Sequence, residues 1–151
     1  MDTIDALQQL LVKDNKTAYQ ALEYLRQASQ RDNQVYQHFA ALAILLEHPH
    51  SYVRTRGLIL IAENIQWDDQ GQFDAIAASY CQHVTDAKAI TARQCLQSLC
   101  LIIPYKPYLR PVFAKTLQEA DFSGYAETMQ PLLEKDRTAA LAVLEKSTGH
   151  L

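Results

Sequence analysis

Glycine and proline are scarce in this sequence, with 4 and 5 residues among 151. Folds made of many short strands need many turns, and turns draw heavily on these two residues. The chain is 48% apolar and 21% charged, and it is rich in Gln, Ala and Leu. This composition favours an all-helical globular protein, and a chain of this length is expected to form about one domain, residues 1–151.

The sequence also lacks the run of about 18 apolar residues that a membrane-spanning helix requires. Its first residues, MDTIDALQQLLVKDNK, are acidic at the start and do not resemble a signal peptide. Three cysteines form no CxxC pair, a pattern typical of reduced thiols in the cytosol. We therefore expect a cytoplasmic protein that makes no membrane contact.

An excess of basic residues is missing too, since the net charge is −3 and the pI is about 5.9. Proteins dedicated to nucleic-acid binding usually carry a basic balance. The charge therefore argues mildly against a nucleic-acid partner, although a local basic groove stays open.

Helical periodicity of the apolar residues, interrupted by short polar breaks, predicts eight helices. The predicted spans are 3–12, 16–29, 33–47, 51–65, 70–83, 89–103, 107–119 and 128–147. Capping side chains stand ahead of four of them, at Asp14-Asn15, Asp32-Asn33, His50-Ser51 and Asp68-Asp69. The short connections imply antiparallel neighbouring helices.

One stretch, SYVRTRGLILIAEN, contains a pattern that recurs along the chain. Val53-Arg54 is followed by the small Gly57 and then by Leu60-Ile61, and related copies start at residues 18, 92 and 136. Positions 53, 57, 60, 61 and 64 share one face of a helix. A glycine in the middle of such a face costs stability, so it predicts close packing against another helix.

The arginine of this pattern has an acid upstream of it in two of the copies. Glu47 precedes Arg54 in one copy, and Asp86 precedes Arg93 in the next. An acid in the turn and an arginine in the next helix can bond between stacked helix pairs. The pattern predicts a structural ladder of Glu47, Arg54, Asp86 and Arg93, with Arg54 facing Glu47 or Asp86.

Arg56 has no equivalent in the other copies. It lies two residues beyond Arg54, about 200° around the helix. It shares a stripe with Tyr52, Ile59 and Glu63, so we expect it to be exposed and free to meet a partner.

With this turn acid, Val-Arg pair, small residue and Leu/Ile pair, the chain resembles the HEAT-repeat family. The resemblance implies an all-α, right-handed superhelical solenoid of about four antiparallel hairpins, whose second helices line a concave face. The stretches SYVRTRGLILIA, ITARQC, YKPYLRP and PLLEKD are similar to a small family of bacterial HEAT-like proteins labelled SufBD. That label implies iron–sulfur assembly, and no residue of this chain is assigned to it.

Motifs for catalysis and for metal binding are missing. No GxSxG or GxxxxGK pattern occurs, and none of the five histidines lies in a recognisable motif. Cys95 and Cys100 lie about 140° apart around a helix and cannot grip one ion together, so burial is expected for the cysteines. We predict no catalytic site, no metal site and no cofactor.

The segment IPYKPYLRPVF interleaves tyrosines with basic residues, a mixture common in protein contact patches. The simpler interpretation is that the tyrosines pack over the turn with their hydroxyls in water. The candidate partner-binding residues are Arg56, Arg93, Tyr105, Lys106, Tyr108 and Arg110. We expect a non-catalytic scaffold that binds another protein on its concave face.

The alternative is a nucleic-acid binder or an enzyme similar to the DNA alkylation-repair glycosylases, which are also built from HEAT-like repeats. Those enzymes hold DNA on a basic concave face with aromatic and acidic residues. The residues of this chain that could match them are Arg54, Arg56, Arg93, Arg137, Trp67 and Asp68.

Overall fold

The computed structural model describes residues 1–148 and is all-helical there. Helical conformation accounts for 76% of the described residues, which form eight α-helices and no strand. The α-helices are α1 (Thr3–Gln9), α2 (Asn15–Arg31), α3 (Phe39–Leu45), α4 (Ser51–Glu63), α5 (Gln72–Cys81), α6 (Ala89–Ile102), α7 (Arg110–Glu119) and α8 (Gln130–Thr148). The predicted all-α class and the predicted number of helices are therefore confirmed. His150 lies outside the described residues.

Several predicted helices extend into 3₁₀ turns instead of continuing as α-helix. Such turns occupy Tyr36–His38, Ile65–Trp67, Gln82–Thr85, Ile103–Tyr105 and Pro107–Leu109. Short 3₁₀ stretches are common at helix ends, where the last backbone groups lose their α-helical partners. The apolar periodicity continues through these turns. Several helix ends predicted from the sequence therefore lie beyond the ends of the α-helices.

The predicted caps are only partly right. Asp14 accepts a hydrogen bond from the backbone N–H of Lys16, and Asp68 accepts one from the N–H of Gln72. Asp32 accepts from the N–H of Gln34 in the turn after α2. His50 precedes α4 without a capping side-chain bond, so that predicted cap is wrong.

The described chain forms two compact units, of which the first is Met1–Gln72. In this unit α1 packs on α2, α3 packs on α4, and the two longer helices α2 and α4 pack against each other. Buried leucines and alanines fill the spaces between these helices, among them Leu25, Leu42 and Leu60. Burial of this apolar surface is the main source of the unit's stability.

Gly57 marks the closest approach of α3 and α4. A Cβ atom placed there would lie 2.9 Å from Cβ of Leu45 and 3.5 Å from the carbonyl oxygen of Leu42. Any side chain would therefore push the two helices apart. The predicted reason for a glycine in this apolar run is confirmed.

The second unit begins at Phe73 and is centred on α6 and α8. α7 packs on α8, and the 3₁₀ turns on either side of α6 pack on α6 as well. Phe73, Tyr80 and Phe113 are fully buried and are the largest side chains of the core. No helix among the described residues has both the length and the apolar character needed to cross a membrane.

Candidate interaction surface

The tyrosine-rich segment after α6 forms two successive 3₁₀ turns. Pro104 and Pro107 stand at the starts of these turns, where their missing N–H groups cost little. The turns leave the rings of Tyr105 and Tyr108 more than half exposed. Two of the candidate partner-binding residues are thus accessible.

Lys106 lies between these two tyrosines and points the other way. It is only 4% exposed, and its Nζ lies 3.2 Å from the Asp74 carboxylate and 3.1 Å from the Tyr108 hydroxyl. Tyr108 donates in turn to the carboxylate of Asp74 at 2.8 Å. A buried ammonium needs a counter-charge, and Asp74 at the start of α5 supplies it. The expectation that Lys106 is an accessible contact residue is wrong.

Arg110 and Arg93 are engaged within the second unit. Arg110 donates from Nη1 to the carbonyl of Leu144 in α8 at 3.0 Å. Arg93 donates from Nε to Oδ2 of Asp136 at 2.7 Å and from Nη2 to Oδ1 at 3.3 Å. This two-point ion pair joins α6 to α8 and raises the pKa of Arg93.

The outward side of α6 carries apolar residues that nothing in the described chain covers. Ile90, Gln97 and Leu101 lie on one side of the helix, and Tyr105 follows one turn beyond Leu101. We call these four residues the α6 face. The exposed fractions are 71% for Ile90, 52% for Leu101, 54% for Tyr105 and 60% for the neighbouring Tyr108.

In the first unit, the role expected for Arg56 of α4 is not the one observed. Arg56 is 8% exposed, and its Nη1 donates to the carbonyl of Leu10 at 2.7 Å and to that of Val12 at 3.0 Å. These carbonyls lie just past the end of α1, where helical partners are missing. The expectation of an exposed Arg56 is wrong because the end of α1 covers that side of α4.

Arg54 makes two local hydrogen bonds, in the turn before its own helix. Its Nη1 donates to the carbonyls of His48 and Pro49, at 2.9 and 3.0 Å. Glu47 is exposed, and these two bonds go to backbone oxygens instead of its carboxylate. These two hydrogen bonds therefore do not make the contact between Arg54 and Glu47 that the ladder predicts.

Asp86, the other predicted acid of the ladder, is buried in the second unit. Its Oδ1 lies 2.9 Å from Nδ1 of His83, and its Oδ2 accepts from the N–H of Lys88. Its backbone carbonyl accepts from the hydroxyl of Tyr125. The carboxylate thus holds the turn that leads into α6.

The sequence pattern did not predict two ion pairs that join neighbouring helices. Arg26 of α2 donates to Glu63 of α4 at 2.8 Å, and Arg93 of α6 pairs with Asp136 of α8. Asp136 occupies the slot that Val53 and Ala92 occupy in the other copies, so the repeat template predicted an apolar contact there. A search of the sequence for acidic residues at this position of the repeat could have found the pair of Arg93 and Asp136.

The cysteines pack inside the second unit. Cys81 and Cys95 are buried, and Cys100 is half-buried. Burial raises the pKa of the Cys81 thiol to about 11 and that of Cys95 well above its usual range. Within residues 1–148, no three His, Cys, Asp or Glu side chains come together as metal ligands.

The residues that could match the glycosylases are tied into the fold. Trp67 donates from its ring N–H to the carbonyl of Ser29 at 2.8 Å. Asp68 is buried and accepts from the hydroxyl of Tyr36. Arg137 donates to the carbonyl of Leu117 at 2.9 Å.

Each unit has an open cleft on its surface. The cleft of the second unit has a volume of about 690 Å³ and runs between α5 and α7, past Cys81, Lys115 and Glu119. The cleft of the first unit, about 470 Å³, lies between the start of α2 and Arg56 of α4. Both volumes are in the range of small-molecule sites.

Comparison with models of known protein families finds no match for the chain, and comparisons with curated proteins and with solved structures find none either.

Proposed function

We propose that the chain is a HEAT-like solenoid of helical hairpins and that it acts as a non-catalytic module that binds another protein. The packing within each unit supports the solenoid. The second helices α2 and α4 pack side by side and are joined by Arg26 and Glu63, and α6 and α8 are joined by Arg93 and Asp136. Stacked hairpins bring their second helices together in this way.

The observation that carries the binding role is the uncovered α6 face. Ile90 and Leu101 are eleven residues apart, so these two exposed apolar side chains stand about 16 Å apart along α6, with Gln97 between them. In the proposed solenoid, α6 is the second helix of the third hairpin, and this side contributes to the concave face. A protein partner would remove these side chains from water.

The composition of the surface favours a protein partner over a nucleic acid. Aromatic and aliphatic side chains with few charges are typical of the centre of a protein interface. Two of the nearby cations are neutralised within the chain, because Lys106 pairs with Asp74 and Arg93 pairs with Asp136. These two charges are therefore not available to phosphates.

Tyr108 adds an exposed side chain of fixed position to this surface. Its ring is exposed, but its hydroxyl is fixed by the Asp74 carboxylate and by Lys106. A side chain that is already held in one position loses little entropy when a partner covers it. Tyrosine is also enriched among the residues that dominate binding energy.

The proposal is tested with a matched pair of variants. Ile90 and Ile44 are both 71% exposed, one on the α6 face and the other on α3. Cell proteins bound to the wild-type chain, to Ile90→Glu and to Ile44→Glu are quantified by mass spectrometry after thermal melts have shown equal stability. We expect a partner that Ile44→Glu retains and that Ile90→Glu loses by about tenfold or more, as at an interface centre.

Two results would contradict the proposal. One is that no bound protein distinguishes Ile90→Glu from Ile44→Glu. The other is binding to DNA with an affinity that falls steeply with salt, which would instead support the nucleic-acid alternative.

A further inference from the structure

The cleft of the first unit has no place in the protein-binding proposal, and its residues differ from those of the α6 face. It is lined by Asn15, Lys16, Tyr19 and Leu22 of α2 and by Arg56 of α4. Two of these five side chains are cations, and no acid lines the cleft. A volume of about 470 Å³ is enough for a small organic molecule.

Arg56 is a buried cation that pairs with no carboxylate among residues 1–148. Its Nη1 bonds two backbone carbonyls, and one face of the guanidinium lies 5.0 Å from the ring of Tyr52. Burial lowers the pKa of Arg56, and the opposing coulombic effect comes from Tyr52 and not from a carboxylate. A desolvated charge that lacks a counter-ion is costly, so an anion in the cleft would gain from pairing with it.

The guanidinium of Arg56 also has N–H donors that bind no acceptor among the described residues. Within the described residues, Nε and Nη2 of Arg56 have no hydrogen-bond partner. In the described residues, the side-chain polar atoms that are fully buried and lack a partner belong to Thr3, Glu63 and Asn64. Nε and Nη2 of Arg56 are not among them, so they are not fully buried. The Nε and Nη2 atoms are therefore accessible to solvent, and Arg56 is one of the residues that line the cleft. This edge offers two parallel N–H groups, the geometry that binds a pair of oxygens.

The opposite wall of the cleft provides a second charge and an apolar surface. Lys16 is exposed in the first turn of α2, a helix of 17 residues. Asp14 already accepts from the N–H of Lys16, so the contribution of this wall comes from the lysine side chain instead of the helix end. Tyr19 and Leu22 follow on the same side of α2 and line the cleft with apolar surface.

We propose that this cleft binds a small organic oxyanion. Two oxygens of its carboxylate or phosphate group accept from Nε and Nη2 of Arg56, and the charge of Lys16 adds to their attraction. The apolar or aromatic body of the ligand packs on Tyr19 and Leu22. The shared chemistry is an oxyanion attached to an apolar group, which distinguishes such a ligand from a bare ion.

The test uses three probes of similar shape with the full-length chain. Benzoate carries a carboxylate, phenyl phosphate carries a phosphate, and phenol has the same ring without the charge. Binding is followed by the NMR shifts of backbone amides in α2 and by the rise in melting temperature that a ligand of the folded state produces. We expect one or both anions to bind and phenol to bind at least about tenfold more weakly, because it makes no charged hydrogen bond.

Variants locate the bound anion. Lys16→Ala should weaken binding about threefold, as expected for an exposed charge. Arg56→Lys keeps the charge but loses the two-donor edge, and it should weaken binding by roughly tenfold. Lys13→Ala changes an exposed lysine outside the cleft and should leave the affinity unchanged.

The preferred anion identifies the charged group, and a preference for either one supports the proposal. Equal binding of phenol would overturn it, as would shifts of α2 amides that Lys16→Ala and Arg56→Lys leave unchanged. No binding of either anion to the folded wild-type chain would overturn it too. Because the variants of the α6 face are separate, either proposal can fail without the other.

Discussion

Arg56 holds the end of α1 through the carbonyl oxygen of Leu10, which lies 2.7 Å from its Nη1. The same nitrogen also binds the carbonyl of Val12. These two oxygens follow the last turn of α1, where no backbone N–H is positioned to satisfy them. The packing of α1 on the rest of the first unit therefore depends on a side chain 46 residues further along the chain.

Replacing Arg56 by alanine should destabilise the protein by about 1–3 kcal/mol, because the carbonyl of Leu10 is left buried without a donor. Denaturant melts measure the change. Lys13→Ala is the control, since Lys13 is exposed just beyond the same carbonyls and should cost less than about 0.5 kcal/mol. Equal stability of the two variants would contradict the role given to Arg56.

Gly57→Ala should lower the free energy of unfolding by about 1–3 kcal/mol, since its Cβ would meet Cβ of Leu45 at 2.9 Å. Gly124→Ala is the matched control. Nothing lies within 4 Å of a Cβ at Gly124, and its φ is not positive. That control should be neutral or stabilising by up to about 1 kcal/mol, because alanine restricts the unfolded chain. Thermal melts in which both variants behave alike would show that α3 and α4 can separate freely.

The thiols of the second unit should resist alkylation in the folded protein. A pKa of about 11 leaves roughly one Cys81 in a thousand as thiolate at pH 8, and only the thiolate reacts. Mass spectrometry after treatment with iodoacetamide should find Cys81 and Cys95 unlabelled and the half-buried Cys100 labelled first. The same reaction in denaturant is the control and should label all three. Labelling of Cys81 at the same rate in both conditions would refute its burial.

Glu63 should make the free energy of unfolding decrease as pH rises, which is opposite to the usual effect of a carboxyl group. Burial raises its pKa above the ordinary carboxyl value although Arg26 acts against this, and its Oε2 is buried without a partner. The folded state then holds the proton more tightly than the unfolded state does. The contribution of Glu63 to stability is therefore full below the unfolded value of about 4.3 and is lost as pH rises through the folded value.

Urea melts over a pH series test this sign. The stability of the wild type minus that of Glu63→Gln should fall as pH rises from about 4, since the variant has no carboxyl to titrate. Glu23→Gln removes the more exposed partner of the same arginine and serves as the control. A difference that grows with pH would contradict the direction assigned to Glu63.

The sequence predicted the local structure well, and it predicted the roles of single side chains poorly. Apolar periodicity located eight helices, and Gly57 indicated a close helix contact that the Leu45 distance explains. For Lys106, the same local pattern suggested an exposed contact. Its burial depends on Asp74, which lies 32 residues earlier, and no local pattern contains that pairing.

Helix formation depends on propensity, periodicity and caps, which involve residues within about four positions of one another, so the sequence by itself determined the all-α class of this protein. Which charged side chains are buried was decided only by tertiary structure. Arg54 and Arg56 are two residues apart in one helix, yet the first bonds its own turn and the second bonds the end of α1. The difference arises because charge burial depends on which distant backbone or carboxylate oxygen lies opposite, and the position of that oxygen is set by helix packing.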